Sequence, residues 1–380
     1  MARSPGSAIP AKGKAAKGDT EAMHAVDTDP PLYLTPMVRA WQCRKRGLCC
    51  KHQSVPIDEV ERRRFERRLT ELADPRASAF ALANIKRESD WPLLPKVRDQ
   101  CVFLGGDNLC TVRTNLGAQL YPRVCKQYPY LSILTNDRQI IDLTFQCPTA
   151  LQLLAEEVAF APTFEHAEPP VESVAWMGQD DRQCWDPLGE RIDIHTFWSL
   201  HWSLFEHFNG LTEADPFARL VRFAEDVTGL TAPEPLTLDR SLLRQGAFEN
   251  SIIAGLEARA GGSPAGLPSL WEDHPPQRFT LDPMPAPDEH ALLTRYLMHR
   301  FLCPTFYLWF ADPRYLLTTM FAMLARYRIE RERGFDALGA VRQLDRFFVH
   351  SATGASLFAT ESTFEPWRAM ACLARSVIVE

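Results

Sequence analysis

The sequence lacks the features that would place the protein in a membrane or on nucleic acid. Residues 1–31 contain no apolar run of the signal-peptide kind, and apolar stretches such as 301–311 are far shorter than the ~18 residues that span a bilayer. The chain also lacks a basic excess, since its net charge is −6, and nonspecific binding to phosphates depends on such an excess. We therefore expect a cytoplasmic protein without membrane or nucleic-acid partners, whose thiols stay reduced.

Two short motifs are missing as well. No Cys-x2-Cys pair occurs anywhere in the chain, although such pairs supply the ligands of most small zinc domains. No Gly-x-Gly occurs either, and the chain shows no alternation of strands and helices typical of a parallel sheet. The sequence therefore predicts neither a regular zinc finger nor a dinucleotide-type fold.

The chain does contain a concentration of cysteines, because seven of its ten lie between residues 43 and 147. Thiolates are soft ligands, and in a chain without secretory features such a concentration indicates a metal site more often than disulfides. Irregular spacing and more sulfurs than one zinc ion can use favour a four-iron, four-sulfide cluster, with zinc as the alternative. The predicted ligands are Cys43, Cys49, Cys50, Cys101, Cys110, Cys125 and Cys147. The isolated Cys184, Cys303 and Cys372 are predicted to be packing residues.

The fold is predicted to be mainly α, with an irregular cysteine-rich metal-binding domain containing short hairpin strands, followed by an α-helical bundle. The expected organisation is a disordered tail (1–31), a cysteine-cluster domain (32–160), a linker or irregular excursion (161–190) and a helical domain (191–380).

Within the cysteine-rich part, the proline pairs before Cys43 predict an extended approach. Asp58 and Glu61 form a capping-box pattern that predicts a helix over about 59–73. The turn residues 105–108 predict a hairpin that places Cys101 opposite Cys110.

The second half shows helical patterns throughout. Helices are predicted over 193–208, 215–229, 239–260, 288–303, 313–331, 335–350 and 364–379. His195, His201 and His207 fall on different helix faces, which favours aromatic packing over metal ligation. Tyr296, His299 and Arg300 are interpreted as part of an exposed helix face rather than a cleft.

Four segments follow one another in a recognisable order: WQCRKRGLCCKHQSVPID (41–58), QCVFLGGDNLCTVRTNLG (100–117), RVCKQYPY (123–130) and LTFQCP (143–148). This order resembles the CxxCxxCC-type cysteine-cluster family of zinc- or iron-chelating proteins, and within it the flagellin lysine N-methylases are most similar. The sequence departs from the family pattern at Arg46, which stands where the family has its second cysteine. Cys147, Cys49 or Cys50 is the candidate to complete a site there.

The resemblance implies metal binding and, less directly, methylation of lysine on a partner protein such as flagellin. S-adenosylmethionine would be the methyl donor, yet the missing glycine-rich loop leaves its binding residues unassigned, and no catalytic residue is assigned either. The alternative is a non-catalytic iron- or zinc-binding module with a structural or metal-handling role.

Overall fold

The structure is a computed structural model, and it describes a set of separate ranges of the 380-residue chain. These ranges are 32–44, 47, 50–51, 55, 57–71, 94, 96–97, 100–112, 120–134, 139–156, 163–165, 184–185, 190–232, 237–239, 287–303, 313–350, 371 and 377–379.

Helices account for most of the described secondary structure, so the prediction of a mainly α protein is confirmed. The strands are β1 (Leu32–Leu34), β2 (Lys96–Val97), β3 (Gln100–Cys101), β4 (Tyr130–Leu134), β5 (Gln139–Leu143), β6 (Thr163–Glu165), β7 (Cys184–Trp185), β8 (Arg191–Ile192), β9 (Thr237–Asp239) and β10 (Val377–Val379). The helices are α1 (Pro36–Ala40), α2 (Glu59–Glu71), α3 (Arg123–Gln127), α4 (Pro148–Ala155), α5 (Ile194–Gly210), α6 (Pro216–Thr228), α7 (Glu289–Leu302), α8 (Pro313–Glu332) and α9 (Ala337–His350).

The largest described sheet has four strands in the order β4-β5-β1-β6. Strand β5 is buried along its whole length, pairing antiparallel with β4 on one side and parallel with β1 on the other. Strand β6 closes the other edge by pairing antiparallel with β1. Segment 161–190 therefore contributes an edge strand to this sheet.

Three helices of the second half begin at an aspartate, a residue type that is favoured at helix N-termini. Asp193, Asp215 and Asp288 each accept hydrogen bonds from the free backbone N–H groups of the following turn. Helix α6 ends at Gly229, which adopts the left-handed conformation with φ of 69°.

Two local predictions are wrong. Residues 36–40 form a short helix instead of an extended approach, because Pro36 occupies its first turn, where a missing N–H is tolerated. Residues 377–379 form strand β10, paired parallel with β9, instead of ending a helix. The run Val377-Ile378-Val379 is β-branched throughout, which favours a strand. Of the other residues in the helix predicted over 364–379, the structure describes only residue 371. Of the helix predicted over 239–260, it describes only residue 239, which ends strand β9.

Buried apolar side chains form two separate clusters. The main cluster combines the buried residues of β1, β5 and α4 with those of α5 to α9, and it includes Cys147, Cys184 and Cys303. It thus draws on both predicted domains. The second cluster packs around α2 and is built from Val55, Ile57, Phe65, Leu69, Leu94, Cys101, Phe103, Val112 and Leu120.

Aromatic side chains fill the part of the main cluster next to α5. His201 is fully buried, and its ring makes edge contacts with Trp198, Trp202 and Phe301 at centroid distances of 5.3, 5.1 and 5.4 Å. His195 is exposed at the start of α5. Aromatic packing of His201 agrees with the sequence interpretation.

The main cluster also encloses a charged network centred on Arg300. Its guanidinium Nη2 lies 3.3 Å from Asp142 Oδ2 and donates to the Leu143 carbonyl at 2.8 Å, while Nη1 lies 3.6 Å from Asp345 Oδ1. His299 Nδ1 lies 2.9 Å from Asp142 Oδ1. All four charged or titratable side chains are at most 2% exposed. Arg300 therefore joins β5 to α9 through α7.

Each carboxylate of this network has further donors. Thr35 Oγ1 donates to Asp142 at 3.2 Å. Asp345 Oδ2 accepts from Thr144 Oγ1 at 2.6 Å and from the Phe145 backbone N–H at 2.8 Å. These hydrogen bonds replace part of the water that the carboxylates lose on burial. Among the described residues, Asp345 Oδ1 accepts no hydrogen bond and has only its ion pair with Arg300.

The interpretation of Tyr296, His299 and Arg300 as an exposed helix face is wrong, because all three are buried. Charged residues are seldom buried unless paired. Here the partners of Arg300 come from positions 142 and 345, which no local pattern on the helix reveals.

The network shifts the pKa of several groups. Burial raises the pKa of Asp142, but the nearby His299 and Arg300 outweigh burial and hold it below its ordinary value. Burial and the nearby Asp345 raise the pKa of Tyr296 well above its ordinary value. Burial also raises the pKa of the Cys303 thiol. The carboxylate is thus held charged while the phenol and the thiol stay neutral.

We expect the substitution Asp142→Asn to lower the free energy of unfolding by about 3–5 kcal/mol, because it removes one partner of a buried cation. Asp226→Asn is the matched control, since Asp226 pairs with His207 and Arg222 at the surface and such pairs contribute less than about 1 kcal/mol. Denaturant unfolding measures both. Equal losses in the two variants would contradict the central role of the network.

Stability should also fall in acid through Asp142. A carboxylate whose folded-state pKa is depressed contributes stability above its unfolded-state pKa of 3.8, and this stability is lost as the pH falls through the folded-state pKa. We expect the acid-induced loss of stability below pH 3.8 to be smaller in Asp142→Asn than in the wild type. A set of unfolding curves at decreasing pH tests this.

Candidate metal centre

Four of the seven predicted ligands meet at the second cluster. Cys101 is 8% exposed and belongs to the cluster itself, while the half-buried Cys50, Cys110 and Cys125 pack against it. They come from three segments, which carry Cys50, the pair Cys101 and Cys110, and Cys125, and which together span 76 positions of the chain. The cluster therefore gathers cysteines that are distant in sequence.

Helix α2 forms one wall of this cluster. Its buried face carries Phe65 and Leu69, and the Phe65 ring stacks on Phe103 at a centroid distance of 5.2 Å. The predicted capping box is confirmed at its start, where the Glu61 N–H donates to Asp58 Oδ1 at 2.7 Å and the Asp58 N–H donates to Glu61 Oε2 at 3.1 Å.

Glu61 also makes a contact with a distant segment, which the local sequence pattern does not predict. Its other oxygen, Oε1, accepts the backbone N–H of Arg123 at 2.7 Å, across 62 positions of the chain. Arg123 is the first residue of α3, which carries Cys125. One carboxylate therefore caps α2 and holds the segment of Cys125 beside it.

The turn before Cys110 is present, but its register differs from the prediction. Gly105 N–H donates to the Leu109 carbonyl at 2.8 Å, and Asn108 adopts a positive φ of 60°. Because five residues form the turn, Cys110 lies opposite Leu104, whereas Cys101 pairs with Lys96 of β2. The prediction that Cys101 faces Cys110 across the hairpin is therefore wrong.

The first cysteine segment contacts this turn through Gly47. Gly47 has a positive φ of 64°, and a Cβ built on it would lie 3.0 Å from the Asn108 carbonyl oxygen, Asn108 Cβ and Leu104 Cδ1. Its own carbonyl accepts the N–H of Cys50 at 3.0 Å. A residue without a side chain thus lets the backbone that carries Cys50 approach the turn closely.

The other predicted ligands lie elsewhere. Cys43 is exposed, and Cys147 is 6% exposed within the main cluster, where its sulfur accepts the indole N–H of Trp41 at 3.4 Å. Cys49 and Arg46 lie outside the described residues. Cys184 and Cys303 are fully buried in the main cluster, as predicted for packing residues, and Cys372 also lies outside the described residues.

The donor set of the second cluster suits a soft metal, because four thiolates match the ligand number of one zinc ion or one four-iron cluster. The positions of the four thiols, however, do not yet form a coordination site. Within the described ranges, no group of three or more His, Cys, Asp or Glu side chains is placed to hold a metal ion. Metal binding would therefore require the three segments that carry these cysteines to draw closer together.

Comparison with known proteins finds no matching family model, no matching curated protein and no matching solved structure. The resemblance to the cysteine-cluster family therefore stays a prediction. Among the helices that the structure describes, none is both long enough and apolar enough to cross a membrane.

We expect Glu61→Ala to lower the free energy of unfolding by about 1–2 kcal/mol, because it removes the acceptor of two backbone N–H groups. The matched control is Glu71→Ala, at the other end of α2, where only an exposed contact with Arg68 is lost. Denaturant unfolding compares the two. A loss no larger in Glu61→Ala than in Glu71→Ala would contradict the double role of Glu61.

Proposed function

We propose that the protein binds a metal through Cys50, Cys101, Cys110 and Cys125, as zinc or as a four-iron cluster. The observation that supports this most strongly is the packing of these four cysteines, from three separate segments, on one small hydrophobic cluster. Cys49, next to Cys50 in the sequence, is available as an alternative ligand from the same segment.

The size of the cluster gives the metal a physical reason to be there. Nine buried side chains hold together the loops around α2, whereas the main cluster is several times larger. Small units of this kind need an additional cross-link, and metal ligation contributes directly to the folding free energy of cysteine-built units. The metal would tie the three segments to one another.

The proposed role is structural. A metal whose four positions are all taken by thiolates keeps none open for a substrate, which is the character of structural rather than catalytic sites. This favours the non-catalytic module of the two alternatives that the sequence leaves open. The described residues include no assigned site for S-adenosylmethionine or for a lysine substrate, so lysine methylation of a partner such as flagellin stays a prediction based on the resemblance alone.

Metal content of variants tests the ligand set. We expect protein purified without oxygen to contain stoichiometric zinc or iron, and Cys101→Ser, Cys110→Ser and Cys125→Ser each to lose it, since an alcohol is a poor ligand for soft metals. Iron accompanied by an equal amount of acid-labile sulfide would identify an iron–sulfur cluster. Bound zinc without acid-labile sulfide would identify a zinc site.

Two buried cysteines of the main cluster provide the controls. Cys303→Ala and Cys147→Ala should keep the full metal content, because neither residue lies at the second cluster. Wild-type protein without stoichiometric metal would contradict the proposal. So would a Cys147 variant that loses metal while the Cys110 variant keeps it.

A further inference from the structure

One side of the buried Arg300 guanidinium has no hydrogen-bond acceptor. Nη2 donates to the Leu143 carbonyl and reaches Asp142, whereas Nε and Nη1 donate to no group in the part of the chain that the structure describes. A guanidinium carries most of its N–H donors, one on Nε and two on Nη1, on these two nitrogens. Burying the donors of a cation without acceptors is more costly than burying those of a neutral group.

Asp345 faces this side of Arg300 with an oxygen in the same condition. Its Oδ2 accepts from Thr144 Oγ1 and from the Phe145 backbone N–H, but no described residue donates a hydrogen bond to Oδ1. The distance between Asp345 Oδ1 and Arg300 Nη1 is 3.6 Å, which exceeds the ~2.7–3.2 Å of an N–H···O hydrogen bond. A buried donor and a buried acceptor thus face each other without being bonded.

The Tyr296 hydroxyl is a third buried group of this kind. Tyr296 precedes Arg300 by one turn of α7, and its hydroxyl has no hydrogen-bond partner among the described residues. The Tyr296 ring packs against the Phe145 ring at a centroid distance of 5.6 Å, and Arg300 Cζ lies 4.8 Å from the centroid of the same Phe145 ring. Asp345 accepts the backbone N–H of Phe145. The three polar groups are therefore arranged around one phenylalanine.

The charges at this point decide which kind of ligand suits it. A cation would be repelled by Arg300, and an anion would be repelled by Asp345 and by Asp142 on the other side of the guanidinium. A neutral molecule that both accepts and donates suits both partners, because it can accept from Arg300 Nη1 and donate to Asp345 Oδ1. Water is the smallest such molecule, and a buried water typically bonds to about three polar groups.

We propose that an ordered water molecule bridges Arg300 Nη1, Asp345 Oδ1 and the Tyr296 hydroxyl. Water often mediates polar contacts across more than about 3.5 Å, and such a bridge is enthalpically nearly as good as a direct hydrogen bond. The water accepts from the guanidinium, donates to the carboxylate and bonds to the phenol as its third partner. It thereby completes the link between α7 and α9 that the ion pair alone leaves without a hydrogen bond.

A crystal structure of the full-length protein, at a resolution that shows ordered water, tests the site directly. We expect a water within about 2.7–3.2 Å of both Arg300 Nη1 and Asp345 Oδ1. A structure in which Nη1 donates straight to Oδ1 would overturn the proposal. An ion at this position, or a gap without electron density, would overturn it as well.

The substitution Tyr296→Phe tests the site in solution, because the sign of its effect depends on the water. A hydroxyl that bonds to the water stabilises the protein, so its removal should lower the equilibrium constant of folding by a factor of about 2–10. A buried hydroxyl without any partner is itself destabilising, so its removal would leave that constant unchanged or raise it. Denaturant unfolding measures the change.

Tyr327→Phe is the matched comparison. This variant loses a hydrogen bond that the structure shows directly, from the Tyr327 hydroxyl to Glu289 Oε1 at 2.7 Å. We expect the two variants to lose stability by similar factors. A Tyr296→Phe protein that is as stable as the wild type, or more stable, would refute the water bridge to the hydroxyl. Neither measurement depends on a bound metal, so the result leaves the proposed function untouched.

Discussion

The position of one guanidinium, that of Arg300 between Asp142 and Asp345, is the constraint on which the main body of the structure depends. A cation away from water must keep its counter-ions within reach, and these come from a central strand and from α9. The sheet and the helices therefore cannot slide past one another without separating buried charges.

The cysteine-bearing segments are organised differently. Their cluster is small, and what fixes their geometry is a set of specific contacts rather than a large buried area. Glu61 caps two helices at once, and Gly47 allows one loop to approach another. Such contacts define where the cysteines lie, but a cross-link between the sulfurs would contribute the cohesion that the small cluster lacks.

The sequence predicts those features that depend on neighbouring residues. The capping box at Asp58 is a local pattern, and the structure contains it where it is predicted. The ion network is not local, because Asp142 and Asp345 lie more than 200 positions apart and Arg300 shows no pattern that identifies its partners. The hairpin error has a related cause: the turn has five residues, so Cys110 lies opposite Leu104, while Cys101 pairs with Lys96, which no pattern around the turn reveals. Grouping by sequence also placed Cys147 with the other cysteines, although its neighbours in space belong to the main cluster.

The pairing of β1 with β5 has a consequence for the topology of the cysteine-bearing region. Leu34 and Ser132 flank the same residue, Ile141, from opposite sides, so the chain leaves the sheet after β1 and returns at β4 only two strand spacings away, about 10 Å. The region between them is thus an insertion with its two ends side by side. The entropic cost of closing such a loop grows only with the logarithm of its length. Doubling the length of the insertion therefore raises this cost by only about 0.6 kcal/mol. The sheet can accept insertions of very different size at this point, and a chain with a shortened insertion would still have both strand ends in place to pair with β5.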